Sequence, residues 1–125
     1  LSRNKKGFIL MVEGSQIDWA AHDNNMKRTI EEVLDLDRAV KIAYDYAKKS
    51  GNTLIIVTAD HETGGLSLTG GSIDGMNVSG TFGTKGHSAV MVPVFAFGPG
   101  ASAFSGVQDN TDLFHDFMEL LSLKK

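Results

Sequence analysis

Cysteine is absent from the 125-residue chain. That excludes a disulfide framework, a thiol nucleophile and thiolate metal ligands together, so any metal held here must be taken by His, Asp and Glu. An excess of positive charge is also absent. Twelve Lys and Arg stand against fifteen Asp and Glu, for a net charge of -3, so the chain lacks the basic footprint of a nucleic-acid binder. No apolar run approaches the ~20 residues of a membrane-spanning helix. No signal-peptide pattern opens the sequence at Leu1, so the compartment is not written there directly. What is present is ordinary for a globular protein: 42% hydrophobic and 22% charged residues, which argues against disorder. A compact chain of this size buries roughly two-thirds of its surface, so a core is possible for one domain or for part of a larger one.

The apolar pattern predicts an α/β fold, a mostly parallel sheet flanked by helices. Residues Gly7 to Val12 (GFILMV) form a continuous apolar run, suited to a strand buried on both faces. Ser15 is positioned to cap a short helical turn carrying Asp18 and His22. From Met26 to Lys49, Ile30, Val33, Leu34, Val40, Ala43 and Ala47 recur at three- and four-residue steps, which predicts a long amphipathic helix stopped at Gly51. Thr53 to Thr58 (TLIIVT) is a second strand. Strand, helix and strand make a right-handed crossover, so the two strands should run parallel. Gly64 to Gly86 is glycine-rich loop with short strands near Leu66 to Thr69. Val90 to Phe97 is a third apolar run, bulged or near an edge because of Pro93. A last helix is expected from Asp112 to Leu121, with Leu113, Phe114, Phe117, Leu120 and Leu121 inward.

Polar residues of metal-ligating type gather where the apolar runs stop. Glu13 follows the first run, with Asp18 and His22 just beyond. Four residues apart on a helix, Asp18 and His22 share a face, and a carboxylate beside an imidazole suits zinc. Asp60-His61 ends the second run, and His87 precedes the third. In open α/β sheets, ligands sit outside the carboxyl ends of strands. Each cluster also has an ordinary reading: a turn for Asp60-His61, a surface pair for Asp18 and His22, a plain loop for the glycines. His115, beside Phe114 and Phe117, reads as a packing or surface residue. What favours chemistry is that three of the four histidines fall at strand ends that one sheet would bring together.

The stretches MVEGSQIDWAAHDNN (11–25), TLIIVTADHETGG (53–65) and GHSAVMVPVFAFGPGA (86–101) resemble the carboxy-terminal half of the alkaline phosphatases, most closely the bacterial type. The resemblance covers nearly the whole chain, with the motifs in the family's order. It implies an alkaline-phosphatase-like fold and a phosphate monoester hydrolase acting through a phosphoserine. It further implies two zinc ions and one magnesium ion. Asp18, His22 and His87 would hold the first zinc, Asp60 and His61 would supply two ligands of the second, and Glu13 would contribute to the magnesium site. Trp19, next to Asp18, is either a packing aromatic or a contact with solvent or substrate. Two metals ~4 Å apart stabilise both the attacking and the leaving oxygen of an in-line displacement. Sulfatases, phosphodiesterases and phosphoglycerate mutases of the same superfamily share Asp-His ligands, and a metal-binding module without catalysis is a further alternative.

The family's serine nucleophile lies in an Asp-Ser-Ala motif, and no Asp-Ser-Ala occurs in this sequence. Ser88-Ala89 follows His87 and belongs to the zinc motif. Arg3, Arg28 and Arg38 match no phosphate-clamping motif; Arg28 and Arg38 read as solvated helix residues. Residues 1–125 are therefore expected to be the carboxy-terminal portion of a catalytic domain, inactive alone, whose partner is the amino-terminal half of the same domain. A phosphate monoester is the expected substrate, with no nucleic-acid partner and no membrane span. Association into a homo-oligomer is expected to cover exposed sheet edge. By resemblance the protein would be periplasmic or secreted.

Overall fold

The structure is a computed structural model that describes residue 1 and residues 3–122. Two helices lead the chain, α1 (Ser15–His22) and α2 (Met26–Ser50). Among the described residues six short strands follow: β1 (Ile55–Val57), β2 (Glu62–Thr63), β3 (Ser67–Ser72), β4 (Asn77–Thr81), β5 (His87–Ser88) and β6 (Phe95–Phe97). A 3₁₀ turn (Ala101–Phe104) and α3 (Asp112–Leu120) complete the chain.

Local chemistry accounts for the helix ends. Asn25 caps α2, its side-chain oxygen accepting from the Arg28 amide at 3.1 Å. At the other end Gly51 turns left-handed (φ 70) and its N–H returns to the Ala47 carbonyl at 2.9 Å, an αL stop that favours glycine. Lys48 and Lys49 complement the dipole in the last turn. α1 begins differently from expectation: Gly14, not Ser15, is the capping residue, and no side chain caps it. A Cβ on Gly14 would stand 3.0 Å from Leu36 Cδ2, so this glycine lets the start of α1 lie close against α2. Ala20 and Ala21 of α1 and Thr29 and Ala47 of α2 are buried.

The strands pair as three separate two-stranded ladders, all antiparallel: β1 with β6, β2 with β5 and β3 with β4. This corrects the expectation of a mostly parallel sheet. The run Gly7–Val12 forms no strand, and Ile9, Leu10, Met11 and Val12 are exposed. A strand apolar on both faces needs ladder neighbours and a layer on each side, and the described residues supply neither to this run. The third run is also shorter than its apolar pattern. It pairs only from Phe95, in the register Ile55↔Phe97 and Val57↔Phe95, while the Pro93 carbonyl instead accepts from the Thr58 hydroxyl at 3.2 Å. Gly98 ends β6 with φ +111, where a Cβ would fall 2.2 Å from the Thr53 carbonyl oxygen. Only glycine fits there.

The remaining core is small. Phe104 is buried and meets Phe117 of α3 at 5.5 Å between ring centroids. Phe114, Phe117 and Leu120, expected inward, are exposed, as are Val33 and Leu34 on α2. The accessible surface is 9749 Å², whereas a compact monomer of this mass would expose about 6,500 Å². The helix and strand faces are thus apolar without being covered. Among the described residues no helix is long and apolar enough to cross a membrane.

Candidate metal centre

Two elements distant in sequence deliver three donors to one point. α1 presents Asp18 and His22 on one face, and β5 presents His87. Asp18 Oδ1 lies 3.4 Å from His22 Nε2 and 3.7 Å from His87 Nε2, and the two Nε2 atoms are 3.2 Å apart. Ligands bound at ~2.0 Å around a tetrahedral ion stand about 3.3 Å from one another, so these three spacings match the edges of such a site. The donor chemistry agrees. His22 Nδ1 is 2.5 Å from the Lys85 carbonyl. A carbonyl only accepts, so Nδ1 carries a proton, and the tautomer this selects for metal binding is the one with the Nε2 lone pair toward Asp18 and His87. The residues therefore fit a metal ion, with one carboxylate and two imidazoles leaving a fourth position open, as in catalytic rather than structural sites.

Around this trio lies a layer of supporting bonds. Thr63 donates its hydroxyl to Asp18 Oδ1 at 2.5 Å and lies 3.2 Å from His61 Nδ1. The His61 ring stacks on His87, centroids 3.5 Å apart and planes inclined by 19°. Asp60 Oδ2 is 3.3 Å from His61 Nε2, so Asp60 and His61 form a second donor pair flanking the first group. Glu13 stands exposed before α1 and joins neither group. Trp19 is exposed beside Asp18. His115 is exposed on α3, edge-on to Phe114. Arg28 is bonded to Gln16 at 2.5 Å and Arg38 to Asp35 at 2.9 Å, both on helix faces.

Sequence reasoning gave no role to Glu62, Thr63 or the Lys85 carbonyl. Glu62 is the best-satisfied carboxylate in the region. It accepts from the Ser88 hydroxyl and from the amides of Gly65 (3.1 Å) and Leu66 (3.3 Å). The Ser88 bond first, then the Leu66 and Gly65 amides and the nearby His61, hold its carboxyl below the usual range against an opposing effect of burial. The glycine-rich loops close the structure behind it. The Gly64 amide donates to Gly86 at 2.9 Å, and the Gly64 carbonyl accepts from Gly83 and Thr84 at 3.0 and 3.1 Å. Gly64 adopts φ +88, and a Cβ there would meet Phe82 at 2.8 Å and the Ala21 carbonyl at 3.1 Å.

A carboxylate and two imidazoles converging next to an Asp-His pair define a candidate metal centre. The chain belongs to the alkaline phosphatase family, whose sequence model matches residues 1–82. It is 39% identical over 140 residues to the alkaline phosphatase of Escherichia coli, covering 99% of this chain and 30% of that protein. Its fold is similar to the alkaline phosphatase of the Antarctic bacterium TAB5, with a TM-score of 0.91 and 43% identity over 100% of this chain and 38% of that one. A TAB5 variant described with Mg bound in the M3 site is equally similar, at a TM-score of 0.91 and 43% identity, with 100% of this chain and 39% of the other covered. The chain thus spans between three and four tenths of the length of these relatives.

Proposed function

We propose that the protein is a metal-dependent phosphate monoester hydrolase in which residues 1–125 form the carboxy-terminal, metal-holding portion of the catalytic domain. One observation carries this reading: Asp18, His22 and His87, from opposite ends of 70 residues of chain, place three donor atoms within 4.8 Å of one another. In this reading these three hold one zinc ion, Asp60 and His61 give two ligands of a second, and Glu13 contributes to a magnesium site. When bound, the ions supply electrostatic stabilisation to the attacking and leaving oxygens of an in-line displacement. The chain's own residues set the strength of that effect. A single carboxylate with two imidazole ligands would leave a bound divalent ion with net positive charge, more than a carboxylate-rich site would. Lys85, through its carbonyl, fixes the His22 tautomer, and Thr63 fixes the Asp18 oxygen that faces the ion.

Glu13 lies away from the other donors because the segment on which it sits, after Gly7–Val12, has no neighbouring strand to place it. We assign that covering role, and the serine nucleophile with its helix, to the part of the family's catalytic domain that aligns outside these 125 residues. From the bacterial resemblance we infer a periplasmic or secreted location.

The test is phosphate release from p-nitrophenyl phosphate by the protein expressed from its complete gene, with zinc and magnesium. Turnover that is abolished by a chelator, restored by zinc and lost in His87→Ala supports the reading. Turnover indifferent to chelation and to His87→Ala overturns it. Residues 1–125 alone are expected to show little or no turnover.

A further inference from the structure

We propose that Glu62 is a positioning residue of the candidate metal centre: its carboxylate clamps β2 to β5 through Ser88 and so fixes the face on which His87 is presented. The inference rests on the metal-centre reading for its consequence, but the clamp itself stands on geometry.

The ladder that carries His87 is only two residue pairs long, Glu62↔Ser88 and Thr63↔His87. Successive side chains in a strand point to opposite faces. Thr63 and His87 therefore share one face, toward Asp18 and His61, while Glu62 and Ser88 share the other. A slip of one residue would turn His87 away from the centre and Ser88 toward it. A ladder of two residue pairs is a weak defence against that slip. The side-chain bond from Ser88 to Glu62 adds a lock that exists only in the observed register.

Glu62 reaches further than its partner strand. By accepting from the Gly65 and Leu66 amides it closes the turn in which Gly64 adopts its left-handed conformation. That turn is bonded to Gly83, Thr84 and Gly86, the segment whose Lys85 carbonyl orients His22. One carboxylate thus fixes the strand of His87 and the loop that sets the His22 tautomer. It touches none of the three donor atoms, so its role is to orient them.

The experiment compares Glu62→Ala, Glu62→Gln and Ser88→Ala with the unaltered protein, each expressed from the complete gene. Cobalt(II) is the probe, because its visible absorption reports four-coordinate geometry. We expect Glu62→Ala to weaken cobalt binding about ten-fold, the low end of the loss seen when a direct partner of a metal ligand is removed, because Glu62 acts one residue further out, and to lower the intensity of the tetrahedral bands. Glu62→Gln, which keeps an acceptor for Ser88, should recover most of both. Should Glu62→Ala fail to fold, Ser88→Ala decides, since it removes one hydroxyl and should weaken binding several-fold. A second readout needs no metal. His87 ring protons lie over the His61 ring, so their NMR shifts should move toward free-histidine values in Glu62→Ala and Ser88→Ala. Unchanged cobalt spectra and unchanged His87 shifts in folded variants would overturn the proposal. If the unaltered protein bound no cobalt, the metal reading would fail, while the His87 shifts would still decide the clamp.

Discussion

Replacing Thr63 by Val removes one hydroxyl and almost no volume. That hydroxyl donates to Asp18 Oδ1 at 2.5 Å, the same oxygen that lies 3.4 Å from His22 Nε2 and 3.7 Å from His87 Nε2. A hydrogen bond to a charged group contributes roughly 1.5–3 kcal/mol. If that bond orients the carboxylate for a cation, its loss weakens metal affinity by about ten- to a hundred-fold, since 1.4 kcal/mol is a factor of about ten and losing an outer partner of a ligand has that effect. The two routes to the magnitude agree. Thr63 lies 3.2 Å from His61 Nδ1 as well, so the substitution also frees the stacked His61 ring. Zinc affinity measured by competition with a chromophoric chelator is the assay. Thr63→Ser keeps the hydroxyl and should stay within a few-fold of the unaltered protein, a comparison that separates hydrogen bonding from packing. Equal affinity in Thr63→Val, or an equal loss in Thr63→Ser, would show that the hydroxyl does not orient Asp18.

Other outcomes follow from single features. Asn25→Ala removes the α2 cap to the Arg28 amide and should cost about 1 kcal/mol, read as a lower thermal midpoint with little change in metal affinity. Gly64→Ala forces a side chain into φ +88 and toward the Ala21 carbonyl. It should cost on the order of 1–3 kcal/mol and, because Gly64 ties the His87 loop, weaken metal binding too, as calorimetry would show. Asp109 accepts from the Thr111 amide and hydroxyl at 3.1 and 3.0 Å, and these bonds hold its carboxyl below the usual range. A depressed folded value stabilises at pH above the unfolded carboxylate range, near 4, and that stabilisation disappears as pH falls through the folded value. Protection of the Thr111 amide, taken relative to its intrinsic exchange rate, should therefore fall selectively in acid, and Asp109→Asn should abolish that dependence.

Much of the architecture could be read from residue patterns, for reasons that are local. The α2 span, its Lys-rich last turn and its Gly51 stop depend on periodicity and on one left-handed residue, and both act within a few positions. The glycine-rich stretch was legible as loop with short strands, although the β3–β4 hairpin extends to Ser72 and Thr81. The strand expected at Gly7–Val12 failed because burial on two faces is a property of neighbours, not of the run itself. The parallel ladder fell with it, leaving β1 to pair with β6 in the opposite sense. At the site, the motif resemblance singled out Asp18, His22 and His87, and the structure brings their donor atoms together. Glu62 and Thr63 carry no such signal although they sit inside the stretch TADHETGG. Their work is done by hydrogen bonds to residues 26 and 45 positions away, which no spacing rule reveals.

His22 and His87 are 65 positions apart, and a cation gripped by both would act as a cross-link as much as a reagent. Tying two points that far apart removes loop-closure freedom from the unfolded chain worth about 4 kcal/mol by the polymer relation used for covalent bridges. In a sequence without cysteine, an ion is then the natural staple across the glycine-rich segment. Stripping such an ion with a chelator would loosen the fold between the two histidines as well as empty the site, and the two losses would share one dependence on the free ion.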